Sequence, residues 1–133
     1  MGALLQRELG GGFVVTSAGL DKTLAGRPAN RRSVACMQER GLDLSGHTSR
    51  WIGDVDLDRT GWIVTVGSDE ADQVRVHLGT GSTSVIVANA DHGGIPDPYE
   101  LGVEGYRDCA ALLDRVIPDI AQQIRAAEVG GSA

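Results

Sequence analysis

Two short apolar runs on either side of one helix-length segment constrain this chain most. Trp62-Ile63-Val64-Thr65-Val66 and Ser84-Val85-Ile86-Val87-Ala88 are rich in β-branched residues, and each reads as a strand apolar enough to lie inside a sheet. Between them Ser68 to Leu78 reads as a helix. Ser68 stands where an N-cap is expected, and Asp69 and Glu70 fall in the first turn, where they complement the helix dipole. Strands alternating with helices indicate a parallel sheet covered on both faces.

The alternation extends in both directions. Met1 to Leu9 has apolar residues at Met1, Leu4, Leu5 and Leu9, a helical spacing, and Gly10-Gly11-Gly12 ends it. Phe13-Val14-Val15-Thr16-Ser17 reads as a further strand. Ala29 to Arg40 reads as a helix, with Gly41 as its terminating glycine. Leu42 to Gly53 is a connection carrying His47, Arg50 and Trp51, and Asp54 to Arg59 makes a helical turn. A polar glycine-rich link joins Leu78 to Ser84, and Asn89 to Tyr99, with Gly93, Gly94, Pro96 and Pro98, is an exposed loop. From Val103 the apolar positions Tyr106, Ala110, Leu113, Ile117, Ile120 and Ile124 predict one long amphipathic helix, bent at Pro118. The expected architecture is a three-layer α/β/α domain with a small parallel sheet, spanning residues 1–128, and a disordered tail at 129–133.

Charge and composition narrow the function classes. Lys and Arg number 12 against 18 Asp and Glu, a net charge of −6, and no basic run exceeds Arg31-Arg32. Nucleic-acid binding is not expected, because affinity for a polyanion comes mainly from neutralising phosphates. No apolar run approaches the roughly 18 residues of a membrane span. Met1 to Leu9 lacks the pattern of a secretory signal, so the expected location is cytoplasmic. The cysteines, Cys36 and Cys109, both fall in helical patterns and read as small buried apolar residues. His77, His92 and Asp91 are too few for a metal site, and the histidines read as surface residues.

Three pieces in order carry a resemblance: Thr16-Ser17-Ala18-Gly19 closing a strand, His47-Thr48-Ser49-Arg50 after the next helix, and Ile95-Pro96-Asp97-Pro98-Tyr99 before the last helix. With this spacing the chain resembles the low-molecular-weight protein tyrosine phosphatases, over nearly its whole length. That family uses no metal or cofactor. A Cys thiolate in a loop containing glycine and arginine attacks phosphorus, the loop's amides and Arg hold the phosphate oxygens, and an Asp-Pro loop supplies the general acid. The resemblance makes Asp97 that acid and then the base that activates water. It makes Tyr99 a wall of the substrate cleft, and Ser17 and His47 supports that hydrogen-bond the phosphate loop. The partner implied is a phosphorylated protein.

One departure shapes the expectation. Met1-Gly2-Ala3-Leu4-Leu5 resembles the residues just past the phosphate loop, so the first strand and the nucleophile loop are expected to be missing and the chain to be inactive alone. Cys109 and Arg115 are separated by five residues, the family's spacing, but Ala110, Ala111, Leu112, Leu113 and Asp114 form helix without a glycine to turn amides inward. Neither cysteine is taken as the nucleophile. The missing strand would lie between Phe13–Ser17 and Trp62–Val66, leaving unpaired edges. Three routes answer that gap: a sequence begun at an internal methionine, direct pairing of the two flanking strands, or a strand donated by another molecule in a dimer. The rival to a phosphatase is a non-catalytic relative that binds a protein through its cleft or strand edges. Within the enzyme class, the aromatic-free loop Leu20-Asp21-Lys22-Thr23-Leu24 leaves phosphotyrosine, phosphoarginine and arsenate open.

Overall fold

The computed structural model describes residues 1–78 and 83–131. Among these, the chain forms helices α1 (Gly2–Leu9), α2 (Arg31–Gln38), α3 (Ser68–Leu78) and α4 (Gly102–Gly131), and strands β1 (Trp62–Thr65) and β2 (Ser84–Val87). The strands pair in parallel, Trp62 opposite Ser84 and Thr65 opposite Val87, with α3 as the crossover. The fold is the expected α/β architecture with a small parallel sheet. Short 3₁₀ turns at Ile52–Asp54 and Leu57–Arg59 take the place of the helical turn expected at Asp54 to Arg59.

One core holds the layers together. Leu4, Leu5 and Leu9 of α1, Cys36 and Met37 of α2, and Tyr106, Ala110, Leu113, Ile117, Ile120 and Ile124 of α4 are buried in a single cluster. Trp62, Val64 and Ile86 of the sheet pack against that cluster, so alternate strand residues face this helical layer. α3 buries Ala71 and Val74 separately. The helical layer is also fastened by charge. Arg40, just past α2, grips the Asp114 carboxylate of α4 with two bonds of 2.9 and 2.8 Å, and Arg7 of α1 donates to the Arg40 carbonyl at 2.5 Å. Such a bidentate pair is stronger and more directional than a single contact.

The structure corrects two sequence expectations. Ser68 is the first residue of α3 and not its cap: Ala71 N donates to Gly67 O at 3.1 Å, so Gly67 holds the cap position. The second correction concerns Phe13–Ser17, which is not a strand. Phe13 and Val15 pack on the core while Val14 is 92% exposed, the alternation of a strand without its ladder. Sequence dictates an extended backbone here, but a strand needs a neighbour, and among the described residues none lies alongside. The Gln6 side chain of α1 takes that role in part. Its Nε2 donates to Phe13 O at 2.8 Å, and its Oε1 accepts from Val15 N at 2.7 Å. Direct pairing of this segment with β1 therefore does not occur.

Asn30 caps α2 by accepting from Arg32 N at 2.8 Å. Pro118 lies inside α4, which continues on both sides of it to Gly131, three residues into the tail expected from Val129. Residues 132 and 133, and most of the glycine-rich link at 79–82, lie outside the described residues.

Candidate active site

The loop carrying Asp97 is built from backbone that few residues can adopt. Asn89, Gly93 and Gly94 have φ of 54°, 82° and 92°, the left-handed region. Gly94 N donates to Asn89 O at 2.9 Å, Asn89 Nδ2 donates to Gly94 O at 3.0 Å, and Ile95 N donates to Val66 O at 2.7 Å. A Cβ at Gly94 would stand 2.2 Å from Val66 O, so no side chain fits. Ile95 is then buried in the core, and Pro96 and Pro98 restrict the backbone around Asp97. Asp97 is exposed, and its Oδ1 accepts from Tyr99 N at 3.0 Å. The result is a solvent-facing carboxylate on a fixed loop, bonded to the backbone of Tyr99, a residue 66% exposed.

Other elements converge on this loop. The Cys109 thiol of α4 donates to Pro96 O at 3.9 Å. The Tyr106 phenol is raised above the usual tyrosine range, first by burial and next by the Asp97 charge, with the Arg32 guanidinium opposing. Arg32 itself lies over the Tyr106 ring at 5.9 Å. Burial also pushes the Cys109 thiol up; Asp97 adds to this and the Met1 ammonium opposes it. Ser17 lies near the amino end of α1, where a Cβ at Gly2 would be 3.5 Å from Ser17 Cβ. Asp97, Tyr99, Tyr106, Arg32 and Cys109 therefore form one neighbourhood, with the start of α1 beside it.

The structure does not bring every expected residue into contact. His47 is exposed in a turn closed by His47 N donating to Leu44 O at 3.0 Å, and no hydrogen bond found among the described residues joins its side chain to Ser17 or Asp97. Cys36 is buried in α2. Cys109 is helical, with its thiol held in the protonated form by burial, the opposite of the environment that activates a thiolate. Tyr106 and Arg32 were not singled out by sequence reasoning as site residues. Tyr106 reads as one position of the apolar stripe of α4, and nothing local shows which residue will lie over its ring.

A second loop pair borders α2. Gly19 N donates to Arg50 O at 2.7 Å, Ile52 N to Gly19 O at 2.8 Å, Gly26 N to Ser49 O at 2.8 Å, and Ser49 N to Arg27 O at 2.7 Å. These bonds fasten Gly19–Arg27 along Ser49–Ile52. Trp51 is half-buried, edge-on to His77 at 6.3 Å with the Lys22 ammonium 4.9 Å above it. Arg50 forms no ion pair among the described residues. The backbone O of Arg50 accepts from Gly19 N, and no carboxylate among the described residues is held against its side chain.

Comparison with known proteins gives the same picture. The sequence profile of low molecular weight phosphotyrosine protein phosphatase matches residues 1–129. The probable low molecular weight protein-tyrosine-phosphatase EpsP of Ralstonia solanacearum is 27% identical over 125 residues, which is 93% of this chain and 85% of that protein. The low molecular weight protein-tyrosine-phosphatase YfkJ of Bacillus subtilis is 25% identical over 103 residues, 73% of this chain and 66% of that protein. Among solved structures, Vibrio vulnificus Wzb in complex with benzylphosphonate superposes with a TM-score of 0.81 at 20% identity, over 92% of this chain and 86% of that one. The YwlE arginine phosphatase of Geobacillus stearothermophilus superposes with a TM-score of 0.81, also at 20% identity, over 97% and 85%. Likeness at that identity establishes the fold, and a profile spanning nearly the whole sequence establishes more: this chain belongs to the low molecular weight phosphotyrosine protein phosphatases, a family of phosphatase hydrolases.

Proposed function

We propose that this chain serves the hydrolysis of a phosphate ester on a protein, most simply phosphotyrosine, with Asp97 as the proton donor. The observation that supports this reading is the placement of Asp97: an exposed carboxylate on a backbone fixed by Gly94 and Val66, beside Tyr99 and the start of α1. An oxygen leaving from phosphorus needs a proton, and a positioned carboxyl group supplies it and then takes one from the attacking water. Tyr99 offers its exposed ring as a wall for the substrate. Ser17, near the amino end of α1, and His47 are read as donors that would steady a phosphate-binding loop. In this reading the nucleophile is neither Cys36 nor Cys109, so hydrolysis needs a cysteine-bearing loop ahead of α1, and the reaction is cytoplasmic and independent of metals.

A second reading, a non-catalytic protein-binding relative, is favoured by one observation: Phe13–Ser17 alternates buried and exposed side chains like a strand and lacks a strand neighbour among the described residues. Such an edge accepts a strand from a partner or from a second copy.

The two readings separate in an assay with p-nitrophenyl phosphate. Three proteins are compared: this chain, the same chain preceded by a strand and a Cys-x5-Arg loop, and that longer protein with Asp97→Ala. Activity in the longer protein alone, falling about 10²- to 10⁴-fold with Asp97→Ala, supports the acid role. Activity of this chain that disappears with Cys109→Ser overturns the reading of the nucleophile. Inactivity of all three, with a dimer in gel filtration, shifts the function to binding.

A further inference from the structure

The cations of this acidic chain are unevenly spread. Residues 1–50 hold seven Lys and Arg against four Asp and Glu, whereas residues 51–133 hold five against fourteen. In the folded chain they also differ in what they touch. Arg40, Arg59, Arg75 and Arg107 pair with carboxylates at 2.8, 3.4, 3.2 and 3.6 Å. Arg7 and Arg125 donate to the carbonyls of Arg40 and Glu8. Lys22, Arg27, Arg31, Arg32 and Arg50 are exposed and form no ion pair among the described residues; Arg115 of α4 is the one other Lys or Arg there with neither kind of partner.

Backbone bonds join the loops that carry three of these five, Lys22, Arg27 and Arg50, and the chain then runs into α2 with the other two. Arg27 and Arg50 lie one register apart where Gly26 and Arg27 run along Ser49 and Arg50, and Lys22 lies over Trp51, the next residue. Pro28, Ala29 and the cap Asn30 lead directly to Arg31 and Arg32. These two occupy the first turn of α2, where the helix dipole disfavours cations and where no acidic residue stands. The single carboxylate within the loop, Asp21, accepts from Thr23 N at 3.0 Å and from its Oγ1 at 2.6 Å; these bonds first, and the Arg27 charge as a smaller cause, hold it below the usual carboxylate range. At the other end Arg32 lies over Tyr106, in the neighbourhood of Asp97. Positive charge without an ion-pair partner among the described residues, two members of it where the helix dipole disfavours cations, leads to the site of the acid, as a complementary negative ligand requires.

We propose that Lys22, Arg27, Arg31, Arg32 and Arg50 dock acidic residues next to the phosphorylated residue of a protein substrate, an inference that rests on the hydrolase reading above. A short acidic segment can follow the strip to Asp97. A polynucleotide reaching beyond the strip meets the acidic remainder of the chain and is repelled.

The test is fluorescence anisotropy with this chain and two labelled phosphotyrosine peptides, one flanked by Asp and Glu, the other by Asn and Gln. The acidic peptide is expected to bind about tenfold more tightly in 50 mM salt, with most of the advantage lost in 500 mM, where the screening length falls to a few Å. Arg27→Gln with Arg50→Gln removes the advantage, Arg27→Lys with Arg50→Lys keeps most of it, and Arg115→Gln on α4 leaves it unchanged. Equal binding of the two peptides, an advantage that survives the double glutamine variant, or stronger competition by an oligonucleotide of matched charge overturns the proposal. Circular dichroism confirms that each variant is folded. The measurement contains no turnover, so inactivity toward p-nitrophenyl phosphate leaves it standing, and its own failure leaves Asp97 as the acid.

Discussion

Phe13–Ser17 and Ile95–Tyr99 both carry residues of the proposed site, and they are held in opposite ways. Ile95–Tyr99 is anchored by backbone. Two glycines and an asparagine adopt left-handed conformations, Ile95 N is bonded to Val66 O, and Ile95 fills the core. Phe13–Ser17 is anchored by one side chain, the Gln6 amide, and by Phe13 and Val15 resting on the helical layer. A general acid must be fixed before the substrate arrives, since a shift of 1 Å is costly to catalysis. A segment that only supports other groups can await a neighbour. The difference teaches that irregular backbone can be more firmly placed than an apparent strand when its bonds are internal.

The largest expected effect is at Gly94. Gly94→Ala places a Cβ against Val66 O and forces a side chain into the left-handed region, so the loop must leave Val66 and draw Ile95 from the core. The strain and the lost hydrogen bond together cost roughly 3 kcal/mol. A urea titration should show a midpoint far below that of the unsubstituted chain. A midpoint that hardly moves means the Asp97 loop is not anchored where described, and the contrast between the two segments collapses.

Gln6→Ala comes next. It strips the partners from Phe13 O and Val15 N, both partly reachable by water, so the cost should be about 1–2 kcal/mol. Hydrogen exchange sharpens the comparison better than stability does. The Val15 amide should exchange much faster in Gln6→Ala, while the Ile95 amide keeps its protection. Faster exchange at both amides would show that the segments unfold as one unit.

How much of this was legible in the sequence follows the same division. β1, β2 and α3 are readable because a β-branched run and a dipole-matched first turn act locally. The Asn89–Tyr99 loop is readable because glycine and proline mark restricted backbone where it occurs. Phe13–Ser17 misleads because pairing is a property of two segments, and one sequence window shows only one. Gly67 and not Ser68 is the cap of α3 because Ala71 N bonds to Gly67 O, a one-residue shift of the helix start that side-chain preferences do not fix. Within the candidate site, the motif around Asp97 is visible, but the approach of Arg32 to Tyr106 spans α2 and α4. The cationic strip is hidden for a related reason, since its members are scattered from Lys22 to Arg50 until the loops pair.

The smallest expected effect tests the platform beneath the weaker segment. α1 carries Gln6, and α1 is tied to α2 and α4 through Arg7, Arg40 and Asp114. The bonds from Arg40 hold the Asp114 carboxyl below its usual range. A carboxyl lowered in the folded state contributes stability above its unfolded pKa of about 3.9, and loses it as pH falls through the lower folded value. The Asp114 side chain is 45% exposed, so solvent screening reduces the contribution to about 0.5–1 kcal/mol. Asp114→Asn should therefore melt about 2–3 °C lower than the unsubstituted chain at pH 7, and the gap should close below pH 4 as the native carboxyl protonates. Exchange at Val15 should quicken slightly with this substitution and exchange at Ile95 should not, because Ile95 is held by the sheet edge at Val66 while Val15 is held by α1. A gap in melting temperature that persists into acid would mean that Asp114 contributes through packing, and that the platform under Phe13–Ser17 is secured by the core alone.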